Sequence, residues 1–141
     1  MINLPVTLSA KPTQFKFEGS KYRAVKNLRT SEIAKLIRVD LKLPFPTTKF
    51  SVTTDLYTGW SAINVSILEV NFEFKNPDYN SDFYDFNLKN NYLSEEGLNF
   101  KNEVKKIISQ YNYDDSDSQS DYFNVNFYWG VDFDCNCKVT K

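Results

Sequence analysis

Histidine is missing altogether from this chain of 141 residues, and there are only four glycines, two cysteines and one methionine. Without histidine the usual general base, the commonest metal ligand and the partner of a serine or cysteine nucleophile are all gone, which removes most hydrolase mechanisms. Gly19, Gly59, Gly97 and Gly130 stand far apart, so no glycine-rich loop can wrap a phosphate and nucleotide-driven chemistry is disfavoured. No cofactor is implied. No apolar run approaches the roughly eighteen residues that a transmembrane helix needs. Met1-Ile2-Asn3-Leu4-Pro5 lacks the basic start and apolar stretch of a secretory signal, and a soluble, cytoplasmic protein is expected.

The two cysteines form Cys135-Asn136-Cys137. On a strand they point to one face about 7 Å apart, too far for an easy disulfide, and this fits a reducing compartment. Two thiolates half-fill a tetrahedral zinc site, but the remaining ligands would have to be carboxylates or come from another subunit. Two ordinary sheet cysteines, and no metal site, are expected.

What is present is material for a core. Hydrophobic residues make up 41% and aromatics 16%, enough apolar surface to offset chain entropy, and the length suits a single domain spanning 1–141. Residues 14 to 26 read as a hairpin, with Phe15 and Phe17 alternating before Gly19-Ser20 and Tyr22 and Ala24 after it. Thr30 can cap a helix whose Ile33, Leu36, Ile37 and Leu41 recur at helical spacing, and Pro44 and Pro46 stop it. Phe50 and Val52 begin a strand, Asp55 to Ser61 turns the chain, and Ile63, Val65 and Ile67 line the next strand. The alternation then moves to Leu68, Val70, Phe72 and Phe74, a phase change that predicts a bulge near Ile67-Leu68 in a bent strand.

Asn76 to Asn91 is rich in turn formers and reads as an irregular connection packed down by Phe83, Tyr84 and Phe86. A second helix starts at Ser94 or Asn99, with Phe100, Val104, Ile107, Ile108 and Tyr111 as its apolar stripe and Lys101, Lys105 and Lys106 toward solvent. From Phe123 to Val139 only odd positions are apolar, too long for one average strand, so a break or bend is expected at Gly130. The fold class that uses every stripe is α+β, with two helices on one face of an antiparallel sheet of about five or six strands.

Charge is divided along the chain. Residues 1–50 carry ten basic and three acidic side chains, a net of +7, whereas 51–141 carry seven and fifteen, a net of −8. No Lys or Arg lies between Lys106 and Lys138. Two candidate surfaces follow. Asp114, Asp115, Asp117, Asp121, Asp132 and Asp134, with the aromatics around them, can imitate a phosphate backbone in the cationic groove of a partner protein. The loop from Asp114 to Asp121 lacks the glycine, spacing and terminal glutamate of a calcium-binding EF-hand. Lys35, Arg38 and Lys42, at i, i+3 and i+7 on the exposed face of the first helix, can instead meet the phosphates of a nucleic acid.

The run Glu32-Ile33-Ala34-Lys35-Leu36-Ile37-Arg38, followed by Asp40-Leu41-Lys42, Phe45-Pro46 and Lys49-Phe50-Ser51-Val52, resembles the large polyvalent protein-associated domains of phages and conjugative elements. A second similar stretch is Tyr111-Asn112-Tyr113-Asp114, Ser116-Asp117 and Asp121-Tyr122-Phe123-Asn124-Val125-Asn126-Phe127-Tyr128. The family's glycine-rich corner after the second strand is represented here only by Tyr57-Thr58-Gly59-Trp60, and no catalytic residue carries over. The resemblance implies a mobile-element protein acting in the host cytoplasm. A copy of this size is similar to the small inhibitors, anti-CRISPR proteins among them, that such elements use against host defences. The expectation is a non-enzymatic inhibitor of a host defence protein, for example a CRISPR effector nuclease, with a nucleic-acid-binding module as the alternative.

Overall fold

The computed structural model describes residues 17–82, 91–116 and 124–140. In chain order its elements are β1 (Phe17–Glu18), α1 (Tyr22–Val25), α2 (Thr30–Lys42), β2 (Lys49–Tyr57), β3 (Trp60–Val70), α3 (Glu95–Ser109), β4 (Tyr113–Asp114) and β5 (Tyr128–Val139). The chain is α+β, as its stripes predict.

Helix α2 buries Ile33, Ala34, Ile37 and Leu41 on one stripe. Arg29, not Thr30, is the capping residue; its backbone N–H donates to the Glu32 carboxylate at 3.1 Å. Thr30 is already helical and shares a hydrogen bond of 2.7 Å with the Ser61 hydroxyl, tying the start of α2 to the sheet. Pro44 and Pro46 follow the helix and keep it from continuing. In α3 the Ser94 hydroxyl accepts from the Gly97 N–H at 3.0 Å. Gly97 is there for close approach, since a Cβ would stand 2.5 Å from the Phe74 carbonyl oxygen.

The main sheet has the order β2-β3-β5. Strands β2 and β3 form a hairpin across Thr58-Gly59, where Gly59 has φ 86° and supplies the left-handed conformation the turn requires. Lys49 pairs with Glu69 and Phe50 with Ile67, so Leu68 is left over. This is the predicted bulge, and beyond it the buried side passes to Val70 and Phe74.

Three expectations need correction. The main sheet is mixed and has fewer strands than expected, because β5 runs parallel to β3 and a separate two-stranded sheet pairs β1 with β4. The chain passes through α3 between β3 and β5, the kind of crossover that a parallel pair requires. Residues 14 to 26 do not form a hairpin among the described residues: Phe17-Glu18 pairs with Tyr113-Asp114 and Tyr22–Val25 is a helical turn. Gly19 serves contact there, since a Cβ would meet the Gln110 and Ser109 carbonyl oxygens at 2.3 and 2.4 Å. Strand β5 is also not broken at Gly130, where its pairing with β3 keeps register; its irregularity falls between Phe133 and Lys138. Phe83, Tyr84 and Phe86 lie outside the described residues.

Alternation gives the main sheet two different faces. Phe50, Val52, Ile63, Val65, Ile67, Trp129, Val131 and Phe133 join the core with Ile33, Ile37 and Leu41 of α2 and Val104 and Ile108 of α3. The intervening side chains, Thr53, Asp55 and Tyr57 of β2, Ala62, Asn64 and Ser66 of β3, and Tyr128, Gly130 and Asp132 of β5, form the other face, and none of them is buried.

At the far end of the core the buried Asn112 joins three segments. Its side chain donates to the Phe127 carbonyl at 3.0 Å and accepts from the Phe127 and Tyr113 N–H groups, while its own carbonyl accepts from Gly19. Nearby, the Tyr111 hydroxyl donates to Asp40, which also takes Lys21 at 3.2 Å. Burial, and then the Asp40 carboxylate, push the Tyr111 phenol above its ordinary value.

Candidate functional site

At the tip of the β2–β3 hairpin the open sheet face carries three grouped aromatic rings. Tyr57 and Trp60 close the turn and stack at 3.9 Å between centroids with 15° between planes. Tyr128, the first residue of β5, meets Trp60 edge-on at 5.5 Å and 90°. They are 51%, 48% and 42% exposed respectively, whereas the core aromatics Phe74 and Phe127 are almost fully buried and Phe50, Trp129 and Phe133 of the covered face are partly buried against the core. A contiguous aromatic surface of this kind has a partner more often than an isolated exposed ring does.

The surroundings of the rings are acidic and otherwise small. Asp55 precedes Tyr57 by two positions on the same strand and stays exposed while its carboxylate accepts from the Asn64 amide at 2.9 Å. Ala62 lies between Asp55 and Tyr128 in register, and Asn64 lies beside Gly130. A side chain at Gly130 would approach the Asn64 amide oxygen at 3.7 Å, so the glycine keeps this part of the face shallow. Asp132, opposite Ser66, is paired with Lys101 at 3.1 Å although its own side chain is 82% exposed. Lys101 therefore does not point freely to solvent as its helical position predicts; it reaches the edge strand.

The six predicted acidic residues are distributed along the chain's last third. Asp132 and Asp134 lie on β5, and the Asp134 carboxylate accepts from the Asn136 N–H at 3.0 Å. Asp114 lies on β4 and caps Ser116 at 3.0 Å; Asp115 accepts from the Tyr113 hydroxyl at 3.0 Å. Asp117 and Asp121 lie outside the described residues. Asp55, Tyr57 and Trp60 are absent from that set because the stretch from Asp55 to Ser61 reads as a turn, and Tyr128 because it falls at an even position, off the apolar alternation of Phe123 to Val139. The signal was the two-residue Thr58-Gly59 turn itself, which brings Tyr57 and Trp60 opposite each other as a pair.

On the basic side, Lys35, Arg38 and Lys42 share the solvent side of α2. The Arg38 guanidinium donates to the Val52 carbonyl at 2.6 Å, covering a backbone acceptor on edge strand β2. Arg38 and Lys42 line a cleft of about 450 Å³ with Lys49, Phe50 and Leu68, which Lys35 does not enter. Lys49 faces Glu69 at 3.8 Å, a loose pair at the surface.

Cys135 is exposed and Cys137 half-buried, both as free thiols. Burial raises the Cys137 pKa, with Asp134 and Glu69 adding to it and Lys75 opposing, so this thiol is held in its protonated, weakly nucleophilic form. Among the described residues no group of three metal-ligating side chains gathers, and no helix is long and apolar enough to cross a membrane.

No curated protein and no solved structure matches this chain. A family model does. Residues 28–96, a range that holds α2, the proline stop and the β2–β3 hairpin but ends before the second similar stretch at 111–128, match the model of the large polyvalent protein associated domain 29, a domain associated with phages and mobile elements.

Proposed function

We propose that this protein is a non-enzymatic binding protein of a phage or other mobile element that occupies the cationic nucleic-acid groove of a host defence protein. A CRISPR effector nuclease, which holds its heteroduplex in a positively charged channel, is the partner class that fits. The observation that carries the reading is the open sheet face, where Asp55 and Asp132 accompany the exposed Tyr57, Trp60 and Tyr128. Carboxylates steer the approach to a basic groove, and the aromatics supply the contact area that holds it. Asp114, Asp115 and Asp134, with Asp117 and Asp121, extend the acidic character of the same chain segment.

The test is to add the protein to a guide-loaded effector and measure target binding and cleavage. Inhibition is expected, relieved when Asp55, Asp132 and Asp134 are changed together to Asn. Unchanged cleavage across several effector types would sink the reading.

The second reading, a nucleic-acid-binding module, has its own observation: Arg38, Lys42 and Lys49 line one cleft. It predicts affinity for duplex or single strands that falls steeply with salt and disappears when Lys35, Arg38 and Lys42 are changed together to Glu. The commitment of Arg38 to the Val52 carbonyl and of Lys49 to Glu69 makes it the weaker of the two.

A further inference from the structure

A flat array of exposed aromatics on an open sheet face has two chemical uses. Nucleic-acid bases stack on such platforms, and so do guanidinium groups. The two make opposite demands on nearby charge, because each stacked base brings a phosphate and each guanidinium brings a positive charge. Asp55 lies two residues from Tyr57 on one face of β2, about 7 Å along the strand and therefore within the roughly 8 Å over which charges act at physiological ionic strength. The remaining open-face neighbours, Thr53, Ala62, Asn64, Ser66 and Gly130, are neutral. Among the described residues the cation that reaches this face, Lys101, is already paired with Asp132. Lys49, at the opposite end of β2, faces Glu69. A phosphate would find repulsion from Asp55 here, whereas a cation would find attraction from that carboxylate and from the ring faces.

Shape then separates arginine from lysine. A stacked pair of rings leaves one outer face on each member, and a planar guanidinium can lie flat on a ring while its edge donates paired N–H groups to a carboxylate. An ammonium is a compact, strongly hydrated charge that gains less from both. The Tyr57 and Tyr128 hydroxyls and the Trp60 indole N–H take no part in any of the hydrogen bonds among the described residues, which leaves them available at the rim. Ala62 and Gly130 keep the floor low beside the rings.

We propose that the open sheet face is an arginine-reading surface: a guanidinium from a partner protein stacks on the Tyr57–Trp60 pair and hydrogen-bonds Asp55. This deepens the reading of the protein as a binder of a cationic groove, on which it rests, by naming the side chain recognised.

The experiment titrates the whole protein with an arginine-rich peptide, a lysine-rich peptide of the same length and charge, and oligothymidylate, following affinity by calorimetry at physiological salt. The arginine peptide should bind about tenfold or more tighter than the lysine peptide, a difference of about 1.4 kcal/mol. That preference should vanish in Trp60→Ala and in Asp55→Asn, the second of which preserves side-chain shape and is checked by an unchanged melting midpoint. Equal binding of the two peptides overturns the arginine reading, as does tighter binding of oligothymidylate that depends on Trp60. Inhibition of an effector with no arginine preference would keep the proposed function and remove this inference. Arginine preference without inhibition of any effector would do the reverse.

Discussion

The two faces of the β2-β3-β5 sheet are made by the same strands, one residue out of step, and they have opposite properties. Ile63, Val65 and Ile67 are buried against two helices. Their neighbours Ala62, Asn64 and Ser66 support a surface that ends in Tyr57, Trp60 and Tyr128, each about half exposed. The first face holds the molecule together by removing apolar area from water. The second leaves three of the largest side chains in water, which gives the fold little stability in return. The difference teaches where to look for function: stability and binding should respond to adjacent positions of one strand almost independently.

The largest effect expected is on the covered face. Ile63→Ala removes a fully buried side chain and should cost about 2 to 5 kcal/mol in a denaturant titration. Asn112→Ala comes next, because it leaves the Phe127 carbonyl and N–H without the partners that join β4 to β5; a buried group left unsatisfied costs about 1 to 3 kcal/mol.

The Tyr111 phenol supplies a pH test of the same interior. Its folded pKa is raised by burial and by Asp40, so the stability it contributes is fully present below the unfolded value of about 10 and declines as pH rises beyond it. Stability measured across that range should therefore fall with alkali, and Tyr111→Phe should flatten the fall. The Lys101–Asp132 pair marks the small end of the series. Asp132 is largely exposed, so Asp132→Asn should change stability by about 0 to 1 kcal/mol. Trp60→Ala removes a half-exposed ring from its cross-strand stack on Tyr57 and should cost no more than about 1 kcal/mol, while affinity for an arginine-rich peptide drops. A large loss of stability in Trp60→Ala would break the comparison.

Much of the fold could be read from pattern. Helical spacing gave both long helices, and the phase change after Ile67 gave the bulge at Leu68, because a period of two cannot change sides without an extra residue. Strand direction left no such mark: alternation looks the same in parallel and antiparallel neighbours, and β5 pairs parallel to β3. The segment 14 to 26 failed for a similar reason, since Gly19 next to Ser20 suits a turn as well as it suits the close approach to Ser109 and Gln110. Segregated charge was visible in the chain, but not that Lys101 reaches Asp132 or that Arg38 covers the Val52 carbonyl. The Tyr57–Trp60 pair was hidden inside a turn drawn too wide, from Asp55 to Ser61, when only Thr58 and Gly59 turn.

The central claim is that this protein acts by binding through the open sheet face, and it is met most directly by one comparison. Target cleavage by a guide-loaded effector nuclease is measured against increasing wild-type protein and against Trp60→Ala/Asp55→Asn of equal melting midpoint. The account predicts that the wild type suppresses cleavage and that the variant needs at least about tenfold more protein to do so, a loss of about 1.4 kcal/mol. Equal suppression by both, or none by either, would contradict it.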